Sequence, residues 1–348
     1  MQTPTRQTTP LLTLTPIDPD RLDSFAKTHF KDSDFLQHAS WGRVQESLAK
    51  TVYYLGLKNQ AGQLVGTAVV FEHHAKRAHY FEIPGGPLLD WQDINLSSQF
   101  VLALKDFARA HGVSFVRIRP NLPTNPNLKN TFKRLGFRPA PMPLHAPSTV
   151  MIDLEKNESE LLADMRRQTR YLVRQAQKKG IVVSVEEGEA ALKVFYALQR
   201  HTAKRQHFVQ SSQAEITAIK RTLRTNAKLY FAKLNDQILA AGLVLFLTPE
   251  GIYLEAASTP AGHKYPGAYA LIWQAMRDLK AAGFKRFNLF GIAPPNSPKH
   301  RFAGVTTFKT GFGGKVINYL PAYDLVLKPL PYLPNYLLES IRRIRRHL

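Results

Sequence analysis

Two stretches decide the architecture: YYLGLKNQAGQLVGTAVVF at 53–71 and LYFAKLNDQILAAGLVLFL at 229–247. Each sets two β-rich runs around a short polar turn, Gln60-Ala61-Gly62 in the first, which predicts a β-hairpin. The elements after each hairpin also recur. YFEI (80–83) is matched by YLEA (253–256). An apolar helical pattern over 97–111, closed by Gly112 and followed by SFVRI (114–118), is matched by a helix over 268–281, closed by Gly283 and followed by KRFNLFGI (285–292). Three elements in one order, offset by about 171 to 176 residues, predict an internal duplication of two homologous α/β domains in tandem.

Working outward, a strand-like LLTLTPI (11–17) precedes Asp18-Pro19-Asp20, a capping and preset-φ signal for a helix over 20–29. A second helix is expected over 41–50. Pro84-Gly85-Gly86-Pro87 reads as a segment that no regular element crosses. Four prolines between Pro139 and Pro147 mark a linker, and strand TVMIDL (149–154) opens the second half. Residues 1–10 read as disordered. The domain expectation is 11–148 plus about 317–348 for the first domain and 149–316 for the second.

The chain has 348 residues, 44% hydrophobic, long enough for two cores. It has no cysteine, which excludes disulfides, thiolate metal centres and a cysteine nucleophile. Lys+Arg 47 against Asp+Glu 26 gives a formal charge of +21, which implies a polyanionic partner: nucleic acid, an anionic membrane or a phosphate-rich substrate. No apolar run approaches the length of a membrane span, and the amino-terminal stretch has no signal-peptide core.

Several segments are candidates for chemistry. MRRQTRYLVRQAQKK (165–179) holds six basic residues and no acid. On a helix Arg166, Arg170, Arg174 and Lys178 form one i, i+4 stripe, a candidate polyanion surface. YLLESIRRIRRHL (336–348) reads as a basic amphipathic helix, with Leu337, Leu338, Ile341, Ile344 and Leu348 on one face and Arg342, Arg343, Arg345 and Arg346 elsewhere. That pattern suits either an anionic bilayer surface or packing on the body. Adjacent His73 and His74 on a strand point to opposite faces and cannot share an ion, so no metal site is expected. Glu82 and Glu255 hold equivalent repeat positions, which argues for a shared structural role. Lys309 lies between Phe308 and the Gly311-Phe312-Gly313-Gly314 turn. A lysine fixed in a cleft can stabilise developing oxyanion charge, but from spacing alone a snorkelling surface lysine is the simpler reading.

The element order resembles the GNAT acyltransferase fold. A phosphate-cradling loop before the central helix is degraded in both halves: Lys264-Tyr265-Pro266-Gly267-Ala268-Tyr269 keeps one glycine, and Pro84–Pro87 cannot serve. The chain as a whole resembles the Fem family of non-ribosomal peptidyltransferases over about 30–328. The pieces that carry the resemblance are Gln37, Trp41-Gly42, Gly86-Pro87-Leu88-Leu89-Asp90, the basic helix, KLNDQILAAGLVLF, Tyr269, Asn288-Leu289-Phe290-Gly291-Ile292 and Phe308-Lys309-x-Gly-Phe.

The resemblance implies two GNAT-like domains without coenzyme A, the chain's last segment returning to the first domain. It implies transfer of an amino acid from aminoacyl-tRNA to the stem-peptide amine of a peptidoglycan precursor, lipid-linked or UDP-linked, building an interpeptide bridge or branch. Lys309 matches the family lysine thought to stabilise the tetrahedral intermediate. A diphosphate-clamping lysine of the family aligns with Gln45, a clamping arginine aligns near Ser211, and a family aspartate aligns with Arg119. Trp41, Arg43, Gln45, Arg117, Arg119, Arg205, Tyr253 and Tyr269 are the candidate substrate contacts, and Arg166, Arg170, Arg174 and Lys178 the candidate tRNA contacts. No metal or cofactor is implied. The expected protein is a cytoplasmic monomer in peripheral contact with the inner face of an anionic membrane. A coenzyme A-dependent N-acetyltransferase and a non-enzymatic basic RNA-binding adaptor are the rival readings.

Overall fold

The computed structural model describes residues 12–345 except 77, 143–144, 207–209, 299 and 301. The expected disorder of residues 1–10 and the contributions of Arg346 and Leu348 lie outside the described residues. The chain divides into two compact units, one from the described part of Met1–Leu144 with Tyr319–Arg345, the other His145–Asn318.

The first unit is built on a seven-stranded sheet of β1 (Thr13–Pro16), β2 (Val52–Lys58), β3 (Leu64–Ala75), β4 (Ala78–Gly85), β5 (Phe115–Pro120) and β6 (Arg138–Pro139), plus a late strand, β14 (Tyr323–Val326). The order is β1-β2-β3-β4-β5-β14-β6. The second sheet uses β7 (Ser148–Asp153), β8 (Val182–Glu186), β9 (Ala227–Leu234), β10 (Gln237–Leu247), β11 (Glu250–Ser258), β12 (Arg286–Asn288) and β13 (Lys315–Asn318), in the order β13-β7-β12-β11-β10-β9-β8. The predicted hairpins are β2–β3 and β9–β10. Asn235 and Asp236, both at positive φ, form the tight turn of the second, a conformation that Asn and Asp tolerate. Each hairpin leads to an antiparallel third strand, then through a helix (Ile94–Ala110 or Gly267–Ala281) to a parallel fourth strand. The duplication is thus present in the topology, and β14 returns late chain to the first sheet between β5 and β6.

Each unit has its own core. Leu55, Val70, Phe81, Leu104, Val116 and Phe132 anchor the first, and Ile152, Tyr230, Val244, Leu271, Met276 and Phe287 the second. Three expectations are corrected. β4 runs on through Pro84 to Gly85, because the parallel pairing to β5 extends to Gly85↔Pro120. The basic helix spans only Arg167–Lys178, with Arg166 as its N-cap. The last described helix begins at Pro329, seven residues before Tyr336, since prolines in a first turn give up no hydrogen bond. Pro334 withholds an N–H from the Leu330 carbonyl, and Leu330 is 87% exposed, so water can satisfy that carbonyl.

Close approach requires the glycines at 85 and 86. A Cβ at Gly85 would lie 2.5 Å from the Asp34 Cβ, and one at Gly86 would overlap the Gln37 amide. Gln37 is buried and acts as a substitute strand residue. Its Oε1 accepts from Val69 N–H at 2.9 Å, while its Nε2 donates to the Val69 carbonyl at 3.1 Å and to the Pro84 carbonyl at 2.7 Å. The amide fills the gap where β3 and β4, paired only from Phe71↔Glu82 outward, have separated.

Candidate active site

The two sheets differ at their parallel seam. In the first unit β4 and β5 pair from Tyr80↔Phe115 to Gly85↔Pro120. In the second, β11 and β12 pair only from Glu250↔Arg286 to Ile252↔Asn288, although β11 continues to Ser258. Past Ile252 the two strands part.

Asn288 shapes the parting. Its Oδ1 accepts from the Thr149 hydroxyl and from the Phe290 N–H at 2.8 Å, and its Nδ2 donates to Glu250 at 3.0 Å. These bonds hold Phe290 at a positive φ of 57° and turn the chain sharply after β12. The carbonyls of Phe290 and Gly291 then accept hydrogen bonds from the Lys309 ammonium at 3.3 and 3.0 Å. Lys309 comes from the helix Ala303–Thr310 and is 9% exposed. Burial lowers its pKa from 10.5 to about 7, against the opposing pull of Glu255. The surface-lysine reading of the spacing is therefore corrected.

Glu255 faces that cation. A register shift in the β10–β11 pairing leaves Leu254 as an extra residue, so Tyr253 and Glu255, two apart, meet different neighbours. Tyr253 is buried against Gly242 and within the core that includes Leu271, and burial pushes its hydroxyl pKa up. Glu255 accepts from Gln199 Nε2 and Ser211 Oγ, each at 2.5 Å. Burial pushes its carboxyl pKa up, while Ser211, Gln199 and Lys309 pull it down. Glu82, its repeat counterpart, pairs instead with His73 at 2.8 Å, so the two carboxylates do not share partners.

Flanking Lys309 in sequence, Phe308 and Phe312 join Tyr269 in an aromatic cluster. The Tyr269 ring lies 5.0 Å from Phe308 and 5.7 Å from Phe312, centroid to centroid. Arg166 acts electrostatically on Tyr269 and donates to the Thr307 carbonyl of the lysine's helix. Gly311 leaves room for that guanidinium, since a Cβ there would come within 2.8 Å of it. Arg205 donates to the carbonyl and hydroxyl of Ser258 at the end of β11. Lys309, Tyr269, Arg166 and Arg205 are thus all tied to the elements that frame the strand parting.

The other candidates have different surroundings. Arg170 donates to the carbonyls of Leu162, Ala163 and Met165 and closes the preceding helix. Arg174 and Lys178 are exposed. In the first unit, Arg117 is 1% exposed and binds Asp324 through Nε at 2.7 Å and Nη2 at 2.9 Å, and Glu339 at 2.8 Å. Its charge is neutralised internally, which corrects its reading as a substrate contact. Trp41 is buried edge-on against Phe35. Arg43 pairs with Asp20 at the surface. Buried Gln45 accepts from Lys50 Nζ at 2.6 Å, so a lysine ammonium still stands where the sequence shows glutamine. Buried Arg119 pairs with Asp34 at 2.8 Å, so a carboxylate still stands beside it. In the second unit, sequence reasoning misses Gln199 and Asn288, which bond Glu255 and the turn after β12; in the first it misses Lys50 and Asp34 as the partners of Gln45 and Arg119, and only side-chain contacts reveal them. An apolar cavity of about 570 Å³ in the first unit, lined by residues including Phe25, Leu64, Leu89, Trp91 and Leu128, offers no comparable cation.

Among the described residues, Glu72, His74 and His79 have ligand atoms within 4.8 Å of one another. The cluster closes on itself: His79 and His74 lie 2.6 and 3.2 Å from one oxygen of Glu72, and Tyr53 donates to the other at 2.8 Å. His73 bonds Glu82 instead, so the two adjacent histidines do not converge.

A duplicated mixed sheet with a parted parallel seam in its second copy defines a tandem GNAT-like fold. Comparison agrees. The structure of FemX superposes with a TM-score of 0.81 over 94% of this chain and 99% of that one, at 18% identity. A tandem GNAT protein from the clavulanic acid biosynthesis pathway gives 0.56 over 90% and 98%, at 11% identity. The sequence matches the FemAB family over residues 17–136, 144–236 and 209–339, and the chain belongs to that family. A lipid II:glycine glycyltransferase of Staphylococcus aureus is 24% identical over 228 residues, covering 62% of this chain and 53% of the relative. The chain thus matches about half the length of that relative.

Proposed function

We propose that the protein is an aminoacyltransferase that moves an amino acid from aminoacyl-tRNA to the stem-peptide amine of a peptidoglycan precursor, extending an interpeptide bridge or branch. The observation that carries this reading is the buried Lys309 ammonium at the parted seam of the second unit. An aminoacyl ester is already activated, so the enzyme must position an amine and stabilise charge. The amine nitrogen attacks the ester carbonyl carbon and the carbonyl oxygen becomes an oxyanion, which Lys309 stabilises. Collapse breaks the ester C–O bond, the tRNA 3′ oxygen leaves, and the proton lost by the amine balances the one it takes up. Tyr269, Phe308 and Phe312 wall the site against water. Exposed Arg174 and Lys178, with Arg166 nearer the lysine, supply contacts for the tRNA backbone.

The lipid-linked precursor is favoured over the UDP-linked one by the lipid II substrate in the name of the Staphylococcus aureus relative. Lys50 beside Gln45 and the Asp34–Arg119 pair retain, in altered form, the charges the family places there. The rival N-acetyltransferase needs bare backbone N–H groups before the central helix. Gly267, which opens that helix, instead makes room for Leu239, 2.5 Å from where its Cβ would be.

The test is to incubate the protein with pools of charged tRNA and each precursor form, or with acetyl-coenzyme A and the same acceptors, then to weigh the stem peptide by mass spectrometry. An aminoacyl mass increment that depends on tRNA is expected. An acetyl increment, or tRNA binding with no transfer, would replace the reading by one of its rivals.

A further inference from the structure

The helix Pro329–Arg345 has two faces. Tyr332 is buried, with its hydroxyl donating to Asp324 at 2.9 Å, and Glu339 pairs with Arg117. These residues, together with Tyr336 beside Tyr332, fasten one side of the helix to the first unit. On the other side stand Leu330, Leu333, Leu337, Ile341 and Ile344, exposed by 87, 53, 54, 48 and 76%. At about 100° per residue these five fall within an arc of roughly 80°, opposite Tyr332 and Glu339. The stripe is therefore not the helix's buried side turned out by fraying. It is a second apolar face, held outward by a buried ion pair. A continuous exposed row of this kind on a protein surface marks an interaction site.

The surrounding charge selects the partner. Arg342, Arg343 and Arg345 cluster in the final turns, and the helix's single acidic residue, Glu339, is committed inward to Arg117. By the same count Arg345 flanks the stripe at about 80° from its middle, and exposed Arg342 lies farther round, so the outward side is apolar along its length with cations at its edge near one end, within a protein of +21 formal charge. A second copy of so basic a surface would meet like charge. An anionic lipid surface meets opposite charge and takes the leucines and isoleucines into its headgroup–acyl boundary.

We infer that the helix Pro329–Arg345 is an interfacial membrane-docking element that lays its Leu330–Ile344 stripe into an anionic bilayer. The inference does not depend on the proposed transfer reaction, and a protein that transferred nothing would still dock. The binding is peripheral and reversible, since no described helix is long and apolar enough to cross a membrane. If the acceptor is lipid-linked, docking also brings the enzyme to the plane in which that acceptor diffuses.

The experiment is co-sedimentation of the full chain with vesicles of phosphatidylcholine containing about 30% phosphatidylglycerol, of roughly physiological anionic content, against phosphatidylcholine alone, over a salt series. Binding is expected on the anionic vesicles, weakening as salt rises. The triple variant Leu337→Ser/Ile341→Ser/Ile344→Ser, all at exposed positions, should lose at least tenfold in vesicle affinity with an unchanged melting temperature. The variant Arg342→Gln/Arg345→Gln should lose most of the salt dependence while keeping residual binding. Light scattering of the same proteins supplies the opposing outcome. If the triple serine variant binds vesicles like wild type, the inference is overturned. It is equally overturned if wild type is a dimer that the triple variant dissolves and no vesicle binding is seen, which would make the stripe an interface between copies. A transfer assay on a water-soluble acceptor, run alongside, should be unaffected by the triple variant; loss of that activity in every protein would count against the proposed reaction and leave docking standing.

Discussion

Replacing Lys309 with methionine should abolish the pH dependence that the buried lysine gives to stability, and leave the protein nearly inactive. Lowering the lysine pKa from 10.5 to about 7 by burial corresponds to roughly 5 kcal/mol of preference for the neutral form in the folded state. Between those two values the unfolded chain binds the extra proton, so wild-type stability should rise with pH from about 7 to about 10.5 and be lowest below 7. Methionine fills similar space without the charge. It leaves the Phe290 and Gly291 carbonyls without that donor, a cost of about 1–3 kcal/mol for each, or about 2–6 kcal/mol together. The balance at pH 6 then runs from a loss of about 1 to a gain of about 3 kcal/mol, while the rise of stability with pH should vanish in the variant. Urea unfolding at pH 6 and pH 9.5 reads both quantities. Single-turnover transfer should meanwhile fall about 10²–10³-fold, as for loss of an oxyanion donor. A wild type whose stability is flat across the window, or a variant whose stability still rises across it, would refute the burial argument. Near-normal turnover would refute the catalytic one.

The neighbouring groups give further expectations. Glu255→Gln removes the carboxylate that favours the charged lysine, so the lysine pKa should fall further and the alkaline limb of the transfer pH profile should move to lower pH; an unmoved limb would separate the two groups. Arg117→Ala strands Asp324 and Glu339 and should cost about 3–5 kcal/mol in urea unfolding, whereas a direct substrate contact would change KM and leave stability alone. Arg174→Glu with Lys178→Glu should weaken tRNA binding and flatten its salt dependence, by about 0.7–0.9 in log–log slope for each phosphate that is no longer neutralised; an unchanged slope would show that this helix does not touch the tRNA.

Local signals make the scaffold readily legible. Both hairpins announce themselves by short polar turns between β-rich runs, and the crossover helices by apolar spacing and terminal Gly112 and Gly283. The helix Gly188–Gln206 goes unread because Ala190–Leu192 and Val194–Leu198 are so uniformly apolar or aromatic that no single face stands out. The site is harder, since its chemistry lies in side-chain meetings across the fold. Arg117 looks like any strand arginine until Asp324, 207 residues away, closes on it. Family resemblance picks out Lys309, but its depth becomes visible only where β12 ends at Asn288 and turns two carbonyls toward it. Glu255 reads as a structural twin of Glu82. One extra residue in β11 gives it a different fate, and pairing register of that kind is not written in local composition.

The unequal seams of the two sheets bear on how the halves can change over time. Where β4 and β5 stay zipped, an altered side chain must fit the packing, which is strict at Gly85 and at the Arg117 ion pairs. Where β11 and β12 part, the acceptable replacements must preserve a buried ammonium, the carbonyls that receive it and the amide of Asn288 that aims them. A duplicated chain in this condition has divided its labour: one copy is held by its packing, while the other is pinned as well by the gap it holds open.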